Sequence, residues 1–178
     1  MNDDAALEVW KKPLDRFSVY SQIQVQALWD LSEEICKLLD ESIKEKMFVG
    51  SGANGLNFIY SRFWLWVLGA YEVTRTMSQY STCFSERHNS EVSAYKKKIT
   101  VLRIPFAKLE LKGNAKQPIN AEASIYGIDV EAKDFSFQVS GEVVSMRSLM
   151  SEFVRFTKLM EPKDVLHDLR DAPRRVES

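Results

Sequence analysis

Two charged residues at the end of a long uncharged stretch are the first candidates for chemistry. Glu72 and Arg75 lie one helical turn apart, directly after the run from Phe63 to Tyr71, which carries no charge. Charges in such a setting are expected to be at least partly buried and paired, which predicts an ion pair that fixes helix register. The alternative makes Arg75, with Tyr71 and Arg62, the polar floor of a small-ligand pocket.

The two histidines offer acid–base or metal chemistry only if other groups join them. His88 lies between Glu86 and Glu91 near the start of a predicted helix, which indicates capping and solvated charge. A second set has the i, i+3, i+4 and i+7 spacing of metal sites on helices: Asp164, His167, Asp168 and Asp171. That segment is short and no second cluster accompanies it, which favours a solvated face. The sequence therefore predicts no metal site, and it holds no Ser or Cys in a recognisable nucleophile elbow.

Three glycines match the spacing of a dinucleotide-binding loop. Gly50, Gly52 and Gly55 fit G-x-G-x-x-G, a motif that needs a strand before it and a helix after it. Here a long predicted helix precedes the glycines, so a βαβ unit cannot be built around them. The motif is interpreted as an inter-helix loop, with anion binding by its amides as the alternative, and no cofactor is predicted.

Positive charge is concentrated in one window of the chain. Residues 87–116 contain eight basic side chains against two acidic ones, although the whole chain has a net charge of −1. On a helical wheel Lys97, Lys108 and Lys112 lie opposite the apolar stripe and point to water. Aromatic residues that could stack on bases are not interleaved with them. The candidate nucleic-acid contacts are Lys96, Lys97, Lys98, Arg103, Lys108 and Lys112.

The bulk composition indicates one globular domain. The chain has 178 residues, of which 45% are apolar and 28% charged, and this balance is ordinary for a folded protein. Its start is acidic with no apolar leader, so a cytoplasmic location is expected, with Cys36 and Cys83 as free thiols. The uncharged aromatic run is far shorter than the roughly 20 residues that span a bilayer, so no membrane segment is predicted.

Hydrophobic periodicity predicts a mostly α fold. Helices are expected at about 21–47 and 57–79, then from Ser90 onward with a kink before Pro105, and finally from an N-cap at Ser145 to Pro162. Alternating residues at about 124–140 predict a β-hairpin inserted before the last helix. The architecture is thus a bundle of about four main helices in a single domain, 1–162. Residues 163–178 are expected to form a short helical turn and a disordered tail.

The second predicted helix is apolar all round. A helix of this kind is expected to be central and covered by neighbours on every side. The first and fourth helices, together with Trp10, then supply more apolar surface than one central helix needs. A homodimer or another protein partner is therefore expected.

A helical bundle of this size resembles, in outline, the HEPN-type ribonucleases of bacterial conflict systems. Their catalytic motif is an Arg followed a few residues later by a His. Here Arg75 precedes His88 by thirteen positions, Arg155 precedes His167 by twelve, and Arg87 adjoins His88. The resemblance is one of outline only and carries no motif, so no membership of that family is inferred, and an inactive relative is one alternative. A non-enzymatic helical interaction protein is the leading expectation, with a nucleic-acid-associated protein as the alternative.

Overall fold

The structure is a computed structural model, and it describes residues 12–45, 53–108, 110–111, 114–118, 125–139 and 141–172. Five α-helices are found in these segments: α1 Pro13–Phe17, α2 Val19–Lys44, α3 Ala53–Gln79, α4 Glu86–Lys108 and α5 Met146–Lys158. The mostly α fold predicted from periodicity is confirmed. Gly50 and Gly52 lie outside the described residues, whereas Gly55 is part of α3 rather than of a loop.

Short antiparallel strands separate α4 from α5. The strands β1 Glu110–Leu111 and β2 Asn114–Pro118 pair with each other, and β3 Ile125–Asp129, β4 Asp134–Val139 and β5 Glu142–Ser145 form a sheet in that order. The expected hairpin corresponds to β3 and β4. The sheet gains a third strand, β5, which runs directly into α5.

Two serine caps decide where the last two long helices begin. The Ser145 hydroxyl accepts from the backbone N–H of Ser148, as predicted for the start of α5. The start of α4 was predicted at Ser90, which is wrong by four residues. Ser85 accepts from the backbone N–H of His88, and the helix begins at Glu86. The helix then continues through Pro105 to its end.

The helices α2 and α3 pack antiparallel at very close range. The indole N–H of Trp66 donates to the carbonyl of Leu28 at 3.1 Å. A side chain at Gly69 would place its Cβ 3.1 Å from Leu28 Cδ2, so the glycine permits this approach. On the other flank, the Trp64 indole N–H donates to the Phe106 carbonyl at 2.8 Å and ties α3 to α4.

Helix α5 and the three-stranded sheet cover one side of the layer that α2, α3 and α4 form. Phe63 of α3 stacks on Phe137 of β4 with ring centres 5.1 Å apart, and Trp66 meets Phe153 of α5 edge-on at 5.6 Å. The Tyr95 hydroxyl donates to the Leu149 carbonyl within the same core. Aromatic rings therefore fill the space between α3, α5 and the sheet.

Candidate functional site

The side of α3 turned away from α5 and the sheet is open to solvent. Phe58 is 44% exposed and Leu65 is 54% exposed, although both belong to the helix that carries much of the core. The prediction that neighbours cover this helix on every side is therefore wrong. We call the exposed side that carries Phe58, Ser61, Leu65 and Glu72 the outer face of α3.

Arg62 lies at the edge of the outer face, towards α2. Its Nε donates to Glu34 Oε1 of α2 at 2.7 Å, and its guanidinium carbon lies 3.3 Å from the ring centre of Phe58. The ion pair crosses between two helices, and the stacking covers one side of an exposed aromatic ring. Arg62 is therefore held in one orientation beside the apolar part of the outer face.

Glu72 and Arg75 form the ion pair that their spacing predicts. Arg75 Nε donates to Glu72 Oε2 at 2.7 Å and Arg75 Nη1 donates to Gln79 at 3.0 Å. The two side chains are 50% and 41% exposed, so both are partly buried and paired as expected, but water reaches both. The cause is the open outer face, which leaves the C-terminal half of α3 in water on this side. The pair is a surface feature.

The ligand-pocket alternative needs Arg62, Tyr71 and Arg75 to converge, and their contacts lead in different directions. Arg62 binds α2, Arg75 binds its own helix, and the Tyr71 ring lies 4.7 Å from the guanidinium of Arg103 on α4. Each of these polar groups therefore already has a partner within the fold.

Most of the described basic residues on α4 also have partners. Lys98 forms a 2.7 Å ion pair with Glu152 of α5, Lys96 donates to Ser78 at 3.0 Å, and Arg103 covers the Tyr71 ring. Lys97 is exposed. The side chain of Lys108, and Lys112 altogether, lie outside the described residues.

A second polar cluster lies where the C-terminal segment meets the start of α4, and we call it the C-terminal clasp. Asp164 accepts from Ser85 Oγ at 2.7 Å, from the backbone N–H of Glu161 at 2.9 Å and from Arg87. Backbone bonds from Ser85 to Asp164 and from Leu166 to Cys83 close a bridge beside it. Burial alone would raise the pKa of Asp164, but these hydrogen bonds and the Arg87 charge lower it to about 2.

His88 lies beneath the C-terminal clasp, where the sequence led us to expect solvated charge. That expectation is wrong, because the imidazole is fully buried between the rings of Phe84 and Phe156. Among the described residues neither ring nitrogen has a hydrogen-bond partner, and the nearest Glu91 oxygen is 3.9 Å from Nδ1. Burial lowers the pKa of His88 to about 4, and the charge of Arg87 adds to this while that of Asp164 opposes it. The histidine is therefore neutral at pH 7.

The acidic residues around His167 do not share a helix face. Asp164 ends one short 3₁₀ turn and Asp168 caps the next, where it pairs with Arg170. Within the described ranges, His, Cys, Asp and Glu side chains do not form a group of three that could hold a metal ion. The chain segments in the structure likewise include no helix that is long and apolar enough to cross a membrane.

Comparison with protein-family models, curated proteins and solved structures finds no match to this chain. Its function is therefore inferred from the residues and contacts described above.

Proposed function

We propose that this protein is a non-enzymatic helical interaction protein that binds another protein chain, in the first place a second copy of itself, through the outer face of α3. The observation that carries this proposal is the exposure of Leu65 and Phe58 on a helix whose opposite side forms the core. Exposed apolar groups on a rigid, well-packed helix are typical of a binding surface.

The charge distribution of α3 supports the same function. The helix holds only three charged residues in 27 positions, Arg62, Glu72 and Arg75. A surface with few charges at its centre loses little solvation free energy when a partner covers it. The polar groups that could take part in catalysis are engaged otherwise, since His88 is buried and Asp164 is bound to Arg87.

Light scattering tests the proposal, because one chain has a mass of 20.5 kDa. We expect about twice that mass at micromolar concentrations. Leu65→Lys should return the protein to the mass of one chain, because it places a charge on the apolar part of the outer face. Leu159→Lys is a matched control, since this leucine is 55% exposed at the end of α5. A wild-type protein that stays monomeric, or a dimer that survives Leu65→Lys, would contradict the proposal.

The state of the two cysteine thiols bears on the cellular compartment of the protein. Cys36 and Cys83 are both free, as thiols are in a reducing compartment. A cytoplasmic location is accordingly part of the proposal.

A second candidate function is nucleic-acid association through α4. The observation in its favour is that Lys97 is exposed and the Lys98 side chain is 57% exposed at adjacent positions of that helix. Binding to generic RNA or DNA at two salt concentrations tests it, because phosphate contacts weaken steeply with salt. Weak, salt-independent binding that Lys97→Gln leaves unchanged would refute it.

A further inference from the structure

The C-terminal segment, residues 161–172, lies against the helices without forming a long helix of its own. It contains two short 3₁₀ turns, and an isolated β-bridge joins its Val165 to Phe84. Arg16 Nη2 also donates to the Leu166 carbonyl at 3.1 Å. A short segment of this kind, attached through a bridge and side-chain contacts, opens at a lower free-energy cost than the long packed helices.

The Asp164 carboxylate is central to this attachment, and both of its oxygens are fully used. Oδ1 accepts from Ser85 Oγ at 2.7 Å and from Arg87 Nε at 3.4 Å, whereas Oδ2 accepts from the backbone N–H of Glu161 at 2.9 Å and from Arg87 Nη2. An ionised carboxylate offers about four acceptor positions. A further donor can therefore bind Asp164 only by displacing one of the bonds that hold the segment.

His88 lies beneath this carboxylate in apolar surroundings. Its ring is covered by Phe84 and, from α5, by Phe156, with ring centres 5.4 and 5.9 Å away. The charges of Asp164 and Arg87 act on it with opposite sign. Within the described segments neither ring nitrogen has a hydrogen-bond partner. A positive charge on this ring would thus be buried without an acceptor for its N–H groups.

Protonation gives the imidazole two N–H donors, and each of them needs an acceptor. Glu91, one turn further along α4, has an oxygen 3.9 Å from Nδ1 and can serve that nitrogen. Nε2 points away from Glu91, so its acceptor must be either an oxygen that Asp164 withdraws from another donor or a water molecule. Both routes loosen the attachment of the C-terminal segment.

We propose that protonation of His88 releases the C-terminal segment from the start of α4 while the long helices stay folded. Asp164 keeps its charge throughout this change, because its pKa is about 2. The open form exposes Cys83 and Phe84, which the closed form buries. This behaviour is independent of the outer face of α3, so it holds whether or not that face binds a partner.

The size of the effect follows from the two environments of the imidazole. The pKa of His88 is about 4 in the closed form, and in the open form water restores its ordinary value of 6.5. The open form therefore binds a proton more tightly than the closed form does. We expect the ratio of open to closed molecules to rise about 70-fold between pH 7.5 and pH 4.5.

Labelling of Cys83 in a Cys36→Ser background measures this ratio. The reagent is 4,4′-dithiodipyridine, which reacts with thiols in acid, and each native rate is divided by the rate of the urea-unfolded chain at the same pH. We expect the corrected rate to rise about 70-fold from pH 7.5 to pH 4.5. His88→Leu should abolish the rise, whereas His167→Leu, an exposed histidine of the same segment, should retain it. A corrected rate that does not change with pH, or a rise that persists in His88→Leu, would overturn the proposal.

Low urea concentrations distinguish release of the segment from unfolding of the whole chain, because the urea dependence of a transition scales with the surface it exposes. At pH 4.5 we expect Cys83 labelling to change little up to about 1 M urea. Hydrogen exchange of the Ile99 amide, in the buried middle of α4, should accelerate strongly over the same range. Equal urea dependence of the two rates would mean that Cys83 is reached only by global unfolding, which would also overturn the proposal.

Discussion

The Arg87 guanidinium binds the carboxylate of Asp164 across 77 positions of the sequence, and this contact fastens the C-terminal segment to the start of α4. The Asp164 side chain is only 2% exposed, whereas that of Arg87 is 46% exposed. A nearly buried carboxylate therefore depends on a half-exposed cation and on hydrogen bonds from Ser85 and Glu161.

Removing the cation should destabilise the fold measurably. We expect Arg87→Ala to lower the free energy of unfolding, because Asp164 keeps its charge but loses a charged hydrogen-bond donor. Denaturant unfolding followed by circular dichroism measures this loss. The full cost of about 3–5 kcal/mol for a fully buried pair is not expected, since water reaches Arg87.

Arg170→Ala is the control for this change. Arg170 pairs with Asp168 at the protein surface, so its loss should lower the free energy of unfolding much less than Arg87→Ala does. Equal losses from the two variants would contradict a structural role for the C-terminal clasp. The pKa of Asp164 is lowered from 3.8 to about 2, so its stabilising effect is complete above pH 3.8 and disappears as the pH falls through 2.

The sequence predicts those parts of the fold that depend on local pattern. The stripes of α2 and α5 repeat every three or four residues, and the Ser145 cap precedes its helix directly, so both are visible in a short window. Strand β5 has four residues and no hydrophobic alternation of its own. Its pairing with β4 becomes apparent only when Phe137 and Val144 are brought together.

The orientation of α3 and the burial of His88 could not be predicted from local pattern. A helix that is apolar all round has no polar stripe, so periodicity cannot tell that the side with Leu65 stays exposed. The burial of His88 depends on Phe156 and on the segment that ends at Asp164, both far away in the sequence. The polar residues around His88 indicated a solvated site, and tertiary packing overrides that signal.

The exposed ion pair on α3 should contribute little to stability. We expect Arg75→Ala and Glu72→Gln each to lower the free energy of unfolding by less than about 1 kcal/mol, with a coupling near 0.5 kcal/mol in the double mutant. Denaturant unfolding measures these values, at protein concentrations low enough that the chain is monomeric. A loss above about 3 kcal/mol for Arg75→Ala would mean that the pair is buried, in conflict with its exposure.

The two cysteines should differ in reactivity in the folded protein. Cys83 is fully buried and Cys36 is partly exposed, and burial raises the pKa of both thiols, although Arg147 lowers that of Cys36. We expect slow labelling of Cys36 and no labelling of Cys83 under native conditions at pH 7.5, because little thiolate is present.

Titration in denaturant without reductant provides the reference for this experiment. Two free thiols should then be found in each chain. Rapid native labelling of both residues would show that the C-terminal clasp opens readily, and a titration that finds no thiol would show that the two cysteines are oxidised.

The neutral, buried state of His88 makes stability depend on pH. Its pKa is about 4 in the folded protein, against an ordinary value of 6.5, because burial disfavours the imidazolium. Between these values the unfolded chain binds a proton that the folded protein does not. Stability should therefore be complete above pH 6.5 and fall by on the order of 3 kcal/mol as the pH drops to 4.

Replacing the imidazole should remove this dependence. We expect His88→Leu to be at least as stable as the parent at pH 7.5, because neither ring nitrogen has a hydrogen-bond partner to lose within the part of the chain that the structure describes. At pH 4.5 the variant should exceed the parent by roughly 2 kcal/mol, measured from urea unfolding at both pH values. His167→Leu changes the second histidine, which is exposed, and should have the same free energy of unfolding as the parent at both pH values. If His88→Leu loses as much stability as the parent between pH 7.5 and pH 4.5, protonation of His88 is not the cause of the pH dependence.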